Sequence, residues 1–393
     1  MSITIVSNTR PLGSRDTVDI LIEDGKIAKV GRKLAFGKPA LTVDAAGGTV
    51  LPGLIDAHFH AYGISTDMDE IEFSPLSYVA LKAQDRLGKA LKRGFTTVRD
   101  VAGGDPGLDR AIKEGLFPSP RYLYTGPGLS QTGGHGDGRQ PHLDIPLPCG
   151  CSCKVVDGAD AIRREVRDLF RRGAHAIKLM TSGGVVSHTD PLRVPQYTPE
   201  EIQAAVFEAE RRGSYVAAHS YSPESIQLSV ANGVRSIEHG NLLDKPTAKA
   251  MAAAGAILDP TLAAYYGLDM RGEQMGLTEF QLAKNAEVLS GGQEAIRIAR
   301  AAGIPIGFGT DLMGDLEEFQ LQGLRLQCEV EGLEQTVESA TEVNAMLLKR
   351  DDLGKIAPGC VGDLVIFPGA SLNANPELLW EGERIVMQAG AVV

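Results

Sequence analysis

The chain has 393 residues, 43% of them hydrophobic and 23% charged, an ordinary globular composition with room for one large domain and a smaller one. A formal net charge of -11 argues against nucleic acid or an anionic membrane surface as a general partner. The first eight residues show no basic stretch followed by an apolar one, no apolar run is long enough to span a bilayer, and five cysteines are too sparse for a disulfide scaffold. A reduced, cytoplasmic setting is therefore expected.

Residues 1–52 read as short strands. Ile3-Thr4-Ile5-Val6 and Val18-Asp19-Ile20-Leu21-Ile22 alternate or run apolar, Asp24-Gly25 is a hairpin turn signal, and Lys26-Ile27-Ala28-Lys29-Val30 alternates after it. The C-terminal end has the same texture in Leu364-Val365-Ile366-Phe367 and in residues 385–393. The two ends, 1–52 and 346–393, are expected to form one small β-sandwich-like domain. Between them, over 53–345, strand-like runs alternate with helical stretches such as 160–172 and 199–212, each closed by a glycine, Gly173 and Gly213. Eight strands are expected: up to His58, then 96–100, 122–125, 176–180, 215–219, 236–239, 256–260 and 304–309. That alternation predicts an α/β fold, a (β/α)8 barrel of TIM type. Residues 126–157, rich in Gly, Pro and Cys, show no clear element, and a loop of that length is usually functional.

The apolar run Val50-Leu51-Pro52-Gly53-Leu54-Ile55 leads into Asp56-Ala57-His58-Phe59-His60. On a strand, residues two apart share a face, so His58 and His60 project side by side, a bidentate site for a borderline metal such as zinc. In a TIM barrel the site lies at the C-terminal ends of the strands. Lys178, His219 and His239 fall at such ends and Asp311 just past the eighth, so four of the eight histidines share these positions. Taken singly, His219 or His239 reads equally well as a hydrogen-bonded histidine, Lys178 as a buried ion-paired lysine, and Asp311 as the N-cap of a helix over residues 312–324.

Pro52-Gly53-Leu54-Ile55-Asp56-Ala57-His58-Phe59-His60 and Gly309-Thr310-Asp311, with the ligand-type residues between them, resemble the motifs of the amidohydrolase superfamily. The resemblance implies a binuclear site, usually zinc. His58 and His60 would bind one ion and His219 and His239 the other. Lys178 would be N-carboxylated and bridge them, and Asp311 would hold the first ion and the nucleophilic water. It further implies hydrolysis of an amide by a hydroxide shared between the ions, with Asp311 accepting the water proton and passing it to the leaving nitrogen.

Thr132-Gly133-Gly134-His135-Gly136-Asp137, the run from Lys178 to Asp190, Ala217-Ala218-His219-Ser220-Tyr221 and Glu238-His239-Gly240-Asn241 resemble the branch of imidazolonepropionase-like proteins, prolidase-like dipeptidases and ochratoxin-type amidases, the prolidase-like dipeptidases most of all. There, residues matching His135 and Tyr221 are expected to hold the substrate's α-carboxylate; the alternatives are a flexible loop histidine and a rim tyrosine that only packs. Relatives often carry Ser-Pro-Thr-Asp where this chain has Ser187-His188-Thr189-Asp190, so His188 is a candidate substrate contact, as is His142. His175 is out of phase with Lys178 and reads as structural. Cys149, Cys151 and Cys153 read as loop thiols, because the spacing is not C-x-x-C. Arg139 reads as a solvated loop cation that could meet an anionic substrate. Glu238 is expected to point away from His239 and find a partner elsewhere. The partner expected is a small molecule, a dipeptide or N-acyl amino acid, with no nucleic acid and no membrane. Members of the superfamily often assemble, so a homo-oligomer is expected. The competing readings are a hydrolase of cyclic amides, carbamates or ureas, and a catalytically silent assembly protein.

Overall fold

The computed structural model describes residues 2–35, 37–39, 41–139, 142, 152–187 and 190–393. The strands run in chain order: β1 (Ile3–Pro11), β2 (Val18–Glu23), β3 (Lys26–Gly31), β4 (Leu41–Asp44), β5 (Thr49–Pro52), β6 (Leu54–Phe59), β7 (Phe95–Asp100), β8 (Arg121–Tyr124), β9 (Gly128–Ser130), β10 (Cys153–Val155), β11 (Ile177–Met180), β12 (Val216–Ser220), β13 (Ser236–His239), β14 (Ile257–Asp259), β15 (Leu364–Phe367), β16 (Ile385–Gln388) and β17 (Ala391–Val392).

The chain ends share one sheet, ordered β17-β16-β15-β5-β1-β2-β3 with β4 on β1. It forms one connected path of pairings. The β2–β3 hairpin turns at Asp24 and Gly25, both in the left-handed region, φ 48° and 81°, as the short Asp-Gly turn requires. Its apolar face buries Val6, Ile20, Ile22, Ile27, Val50, Ile366 and Met387. Antiparallel pairing of β15 with β5, from Leu364 opposite Pro52 to Phe367 opposite Thr49, fixes the strand that leads directly into β6. The joint is Gly53. A Cβ there would lie 2.1 Å from Thr96 Oγ1 and 2.8 Å from Asp363 Cβ, so a larger residue would push β6 off its neighbours.

The middle of the chain holds two parallel sheets, β6-β7-β8 and β10-β9-β11-β12-β13-β14, with helices such as Ala159–Arg171 and Pro199–Glu210 between strands. Every residue of β6, β7, β11, β12, β13 and β14 is buried, the mark of strands covered on both faces. The helix Pro199–Glu210 starts at a capping box, Thr198 with Glu201, and proline at its first position.

Two expectations change. The eight parallel strands do not form one closed ladder among the described residues. Residues 304–309 make a single parallel bridge, Leu258 to Ile306, because Pro305 lacks an N–H to donate. The segment is still tied on both sides. Leu258 N donates to Pro305 O at 3.1 Å, Gly307 N to Leu258 O at 2.8 Å, and Ala57 N to Phe308 O at 2.9 Å. At the opposite seam His175 N donates to Tyr124 O at 2.7 Å. Residues 126–157 are also not elementless, since β9 and β10 pair in parallel there and β9 joins β11. Three-residue strands are too short to show a period of two. No helix among the described residues is long and apolar enough to cross a membrane.

Candidate metal centre

β6 carries His58 to a fully enclosed position, 1% exposed, with His60 just beyond its end. Asp311 Oδ1 lies 2.8 Å from His60 Nε2 and 3.4 Å from His58 Nε2. Asp311 adopts φ 54°, and its N–H donates to His58 O at 2.7 Å, so the Gly309-Thr310-Asp311 segment is strapped to β6. Asp56 completes the strap from behind. It accepts from Thr310 N at 3.1 Å, Thr310 Oγ1 at 2.6 Å and Gln320 Nε2 at 3.0 Å. Burial pushes its carboxyl up to about 6, against the lowering effect of those hydrogen bonds. Asp311 does not cap a helix. A 3-10 turn begins at Gly314, after Met313, and the helix proper is Gln320–Glu331.

The second sheet supplies the rest. Lys178 on β11 and His219 on β12 are buried, and His239 ends β13. Ring centroids lie 5.2 Å apart for His58–His60, 5.0 Å for His58–His239 and 4.5 Å for His219–His239, so the four imidazoles form one cluster. Donor atoms of His58, His239 and Asp311 all fall within 4.8 Å of one another.

Glu238 corrects the sequence reading. It faces the same interior as His239 and accepts from His58 Nδ1 at 2.7 Å. Strand alternation fails because His239 takes a left-handed backbone, φ 74°, which turns its ring inward beside Glu238. Glu238 is held by fully buried Arg99, whose Nη2 donates to its two oxygens at 2.8 and 2.9 Å, while Arg99 Nε donates to Ala57 O at 2.5 Å. A carboxylate on Nδ1 leaves Nε2 as the lone-pair nitrogen of His58, the usual support of a metal-ligating imidazole. His219 is set the same way, its Nε2 3.1 Å from Gly183 O.

The electrostatics suit a cation. Burial lowers His58 and His219 well below the ordinary imidazole range and His239 to about 3, so the rings are neutral and able to ligate. Burial alone would raise Asp311, but the imidazoles of His58, His60 and His239 outweigh it and hold the carboxyl low. Burial also lowers Lys178, partly offset by Glu238 and Asp311. Neutral imidazoles, an anionic carboxylate and a buried amine fit divalent metal ions of the kind the amidohydrolase resemblance implies.

These side chains open onto one cavity of about 390 Å³, lined by His58, His60, Lys178, His219, His239 and Asp311 together with His135 and Tyr221. His135 stacks on His219 at 4.2 Å, and Tyr221 stacks on His239 at 5.0 Å. Gly184 presses the loop onto His135, since a Cβ there would meet its ring at 2.0 Å. Met68, Leu268, Leu277, Met313 and Leu316 add apolar lining. Arg139 reaches the cavity, bound to Asp137 through two contacts of 2.7 Å. His142 is exposed, and His188 lies outside the described residues, as do Cys149 and Cys151. Cys153 is buried and lines the cavity, its thiol pushed up to about 12 by burial. His175 stands edge-on to Tyr215.

Sequence reasoning missed Arg99, Thr261 and Tyr265. Thr261, at φ 44°, and Tyr265 both sit 2.8 Å from His239 Nδ1. Only the backbone conformation brings them there.

The amidohydrolase family profile matches residues 49–390. Ochratoxinase from Aspergillus niger is 32% identical over 313 residues, 74% of this chain and 64% of that protein, so the chain spans less than two thirds of that relative's length. A prolidase solved with N-methylphosphonate-L-proline is 37% identical with a TM-score of 0.95, covering 100% of this chain and 99% of that one. A Xaa-Pro dipeptidase with methionine bound in its active site is 27% identical with a TM-score of 0.88, covering 100% of both chains.

Proposed function

This chain belongs to the amidohydrolase family, and from that premise we propose that it is a two-metal hydrolase of amide bonds acting on L-Xaa-L-Xaa dipeptides or N-acyl amino acids. The observation that carries the reading is the convergence of the six ligand-type residues with His135 and Tyr221 on one cavity. The likeness to a prolidase and a Xaa-Pro dipeptidase supports the dipeptide class. In this reading residues 53–345 are a (β/α)8 barrel of TIM type and residues 1–52 and 346–393 a terminal β domain.

His58, His60 and Asp311 would hold one ion and His219 and His239 the other, with zinc the best match to this donor set. Bound there, such ions acidify water and polarise a carbonyl oxygen. The chain's own residues do the remaining work. Lys178, deep in the cavity wall, is driven by burial toward its neutral amine. Addition of carbon dioxide to that amine releases a proton and leaves an anionic carbamate with two oxygens to offer. Asp311 is held ionised by the surrounding imidazoles. Its Oδ2, the oxygen turned from His60, takes a proton from the attacking water and returns it to the leaving nitrogen. His135, whose Nδ1 lies 3.7 Å from Asp190 Oδ2, and the Tyr221 hydroxyl receive the substrate carboxylate. The apolar part of the lining, Met68, Leu268, Leu277, Met313 and Leu316, takes an uncharged side chain.

The test is release of free amino acid from a dipeptide and N-acyl amino acid library by zinc-reconstituted protein. Turnover concentrated on one class of C-terminal residue supports the reading. Silence across the library with two ions bound per chain would overturn the dipeptide assignment and direct attention to lactams, carbamates and ureas.

A further inference from the structure

Three hydroxyls and one imidazole nitrogen cluster in the cavity wall, the nitrogen also lying 3.8 Å from Asp311 Oδ2. Tyr265 Oη lies 2.8 Å from His239 Nδ1, 2.9 Å from Tyr221 Oη and 3.2 Å from Thr261 Oγ1, and Thr261 Oγ1 is itself 2.8 Å from His239 Nδ1. All four residues are nearly closed to solvent, at most 2% exposed, so the protons have few other places to go. A hydroxyl carries one proton, and a neutral imidazole carries one on a single nitrogen.

We infer that Tyr265 is a positioning residue that aims the Tyr221 hydroxyl proton into the cavity, with the direction set by His239. If His239 offers Nε2 to a metal, its proton is on Nδ1, where Tyr265 Oη and Thr261 Oγ1 accept it. Tyr265 then has one proton to give, and Tyr221 Oη is nearer than Thr261 Oγ1, 2.9 against 3.2 Å. Tyr221 Oη, now an acceptor from Tyr265, must donate elsewhere. Its ring stacks on His239 and meets His219 edge-on, so the unused direction is the cavity that both tyrosines line. A carboxylate there receives a donor whose orientation is already fixed, which reduces the ordering cost of binding. Loading the metal centre and gripping the substrate anion thereby become linked through two phenols.

This rests on the reading of Tyr221 as a carboxylate donor, and the experiment separates the two. Binding of L-proline and L-prolinamide to the zinc-loaded protein is measured by calorimetry, alongside metal content, for wild type, Tyr221→Phe, Tyr265→Phe, the double variant and Thr261→Val. Wild type is expected to prefer proline. Y221F loses that preference, and Y265F lowers it roughly three- to tenfold with two ions still bound, the worth of one well-placed hydrogen bond. In the Y221F background Y265F then changes nothing further. T261V keeps the preference, because Tyr265 remains to accept from His239, and it serves as the deciding variant should Y265F not fold. A Y265F preference equal to wild type, or a preference abolished by T261V, overturns the inference. A wild-type or Y221F protein indifferent to the carboxylate overturns the underlying reading of Tyr221 instead.

Discussion

Replacing Glu238 with glutamine tests how the centre is built, because one buried carboxylate serves His58, Arg99 and Ser236 together. Glu238 accepts from His58 Nδ1 at 2.7 Å and from Arg99 Nη2 at 2.8 and 2.9 Å. Arg99 is fully buried, and its other carboxylate neighbour, Asp259, lies 3.5 Å away. Burial, reinforced by the charge on Glu238, pushes the Asp259 carboxyl well up, so Glu238 is the counter-charge of Arg99. Removing one member of a buried ion pair costs on the order of 3–5 kcal/mol. Glutamine keeps one oxygen acceptor, and Arg99 retains Ala57 O at 2.5 Å and Tyr215 Oη at 3.3 Å, which places the loss near the low end, about 3 kcal/mol. The same change weakens the grip on His58, and supports of this kind are worth roughly 10- to 100-fold in metal affinity. Urea unfolding of metal-free protein reads the first quantity, and zinc competition against a chromophoric chelator reads the second. E238Q with wild-type zinc affinity and less than about 1 kcal/mol of destabilisation would refute the reasoning, since no buried ion-pair partner lost alone is that cheap.

Three further outcomes follow from the same geometry. Asp311→Asn should retain the fold and lower kcat roughly 10²- to 10⁴-fold, the range for a lost proton acceptor, read by steady-state kinetics beside a thermal melt. Wild type grown or dialysed with 13C-bicarbonate should show a carbamate carbon resonance that Lys178→Met lacks, and K178M should bind its second ion more weakly. In the metal-free protein the His239 ring titrates near 3 against an ordinary 6.5, so the unfolded chain binds the extra proton between those values. The ring's contribution is therefore full above pH 6.5 and is lost as pH falls toward 3, and His239→Gln should lose less stability than wild type over that window in urea titrations at stepped pH.

Much of the centre was legible because strand periodicity makes it so. His58 on β6 and His60 just past its end are two apart, and Lys178 and His219 lie in strands β11 and β12, whose apolar runs are plain in the sequence. What escaped the sequence depends on backbone conformations that no periodicity encodes. Glu238 was assigned to the far face because alternation was assumed to continue through His239, where φ is 74°. Thr261 and Tyr265 look like ordinary residues at a helix start, yet φ 44° at Thr261 sets that start against His239. The eighth strand was read from the apolar pattern of residues 304–309, which carries no information about the donor missing at Pro305. His142 is a candidate by its place in the loop segment of residues 126–157, and its side chain is exposed.

We propose that hydrolysis by this chain requires two ions in one cavity. The most direct test is to strip the protein of metal and titrate zinc back while following amino acid release from the best dipeptide in the library. The account predicts no turnover without metal and a rise that levels off at two equivalents per chain. Full activity at one equivalent, or turnover by the metal-free protein, would contradict it.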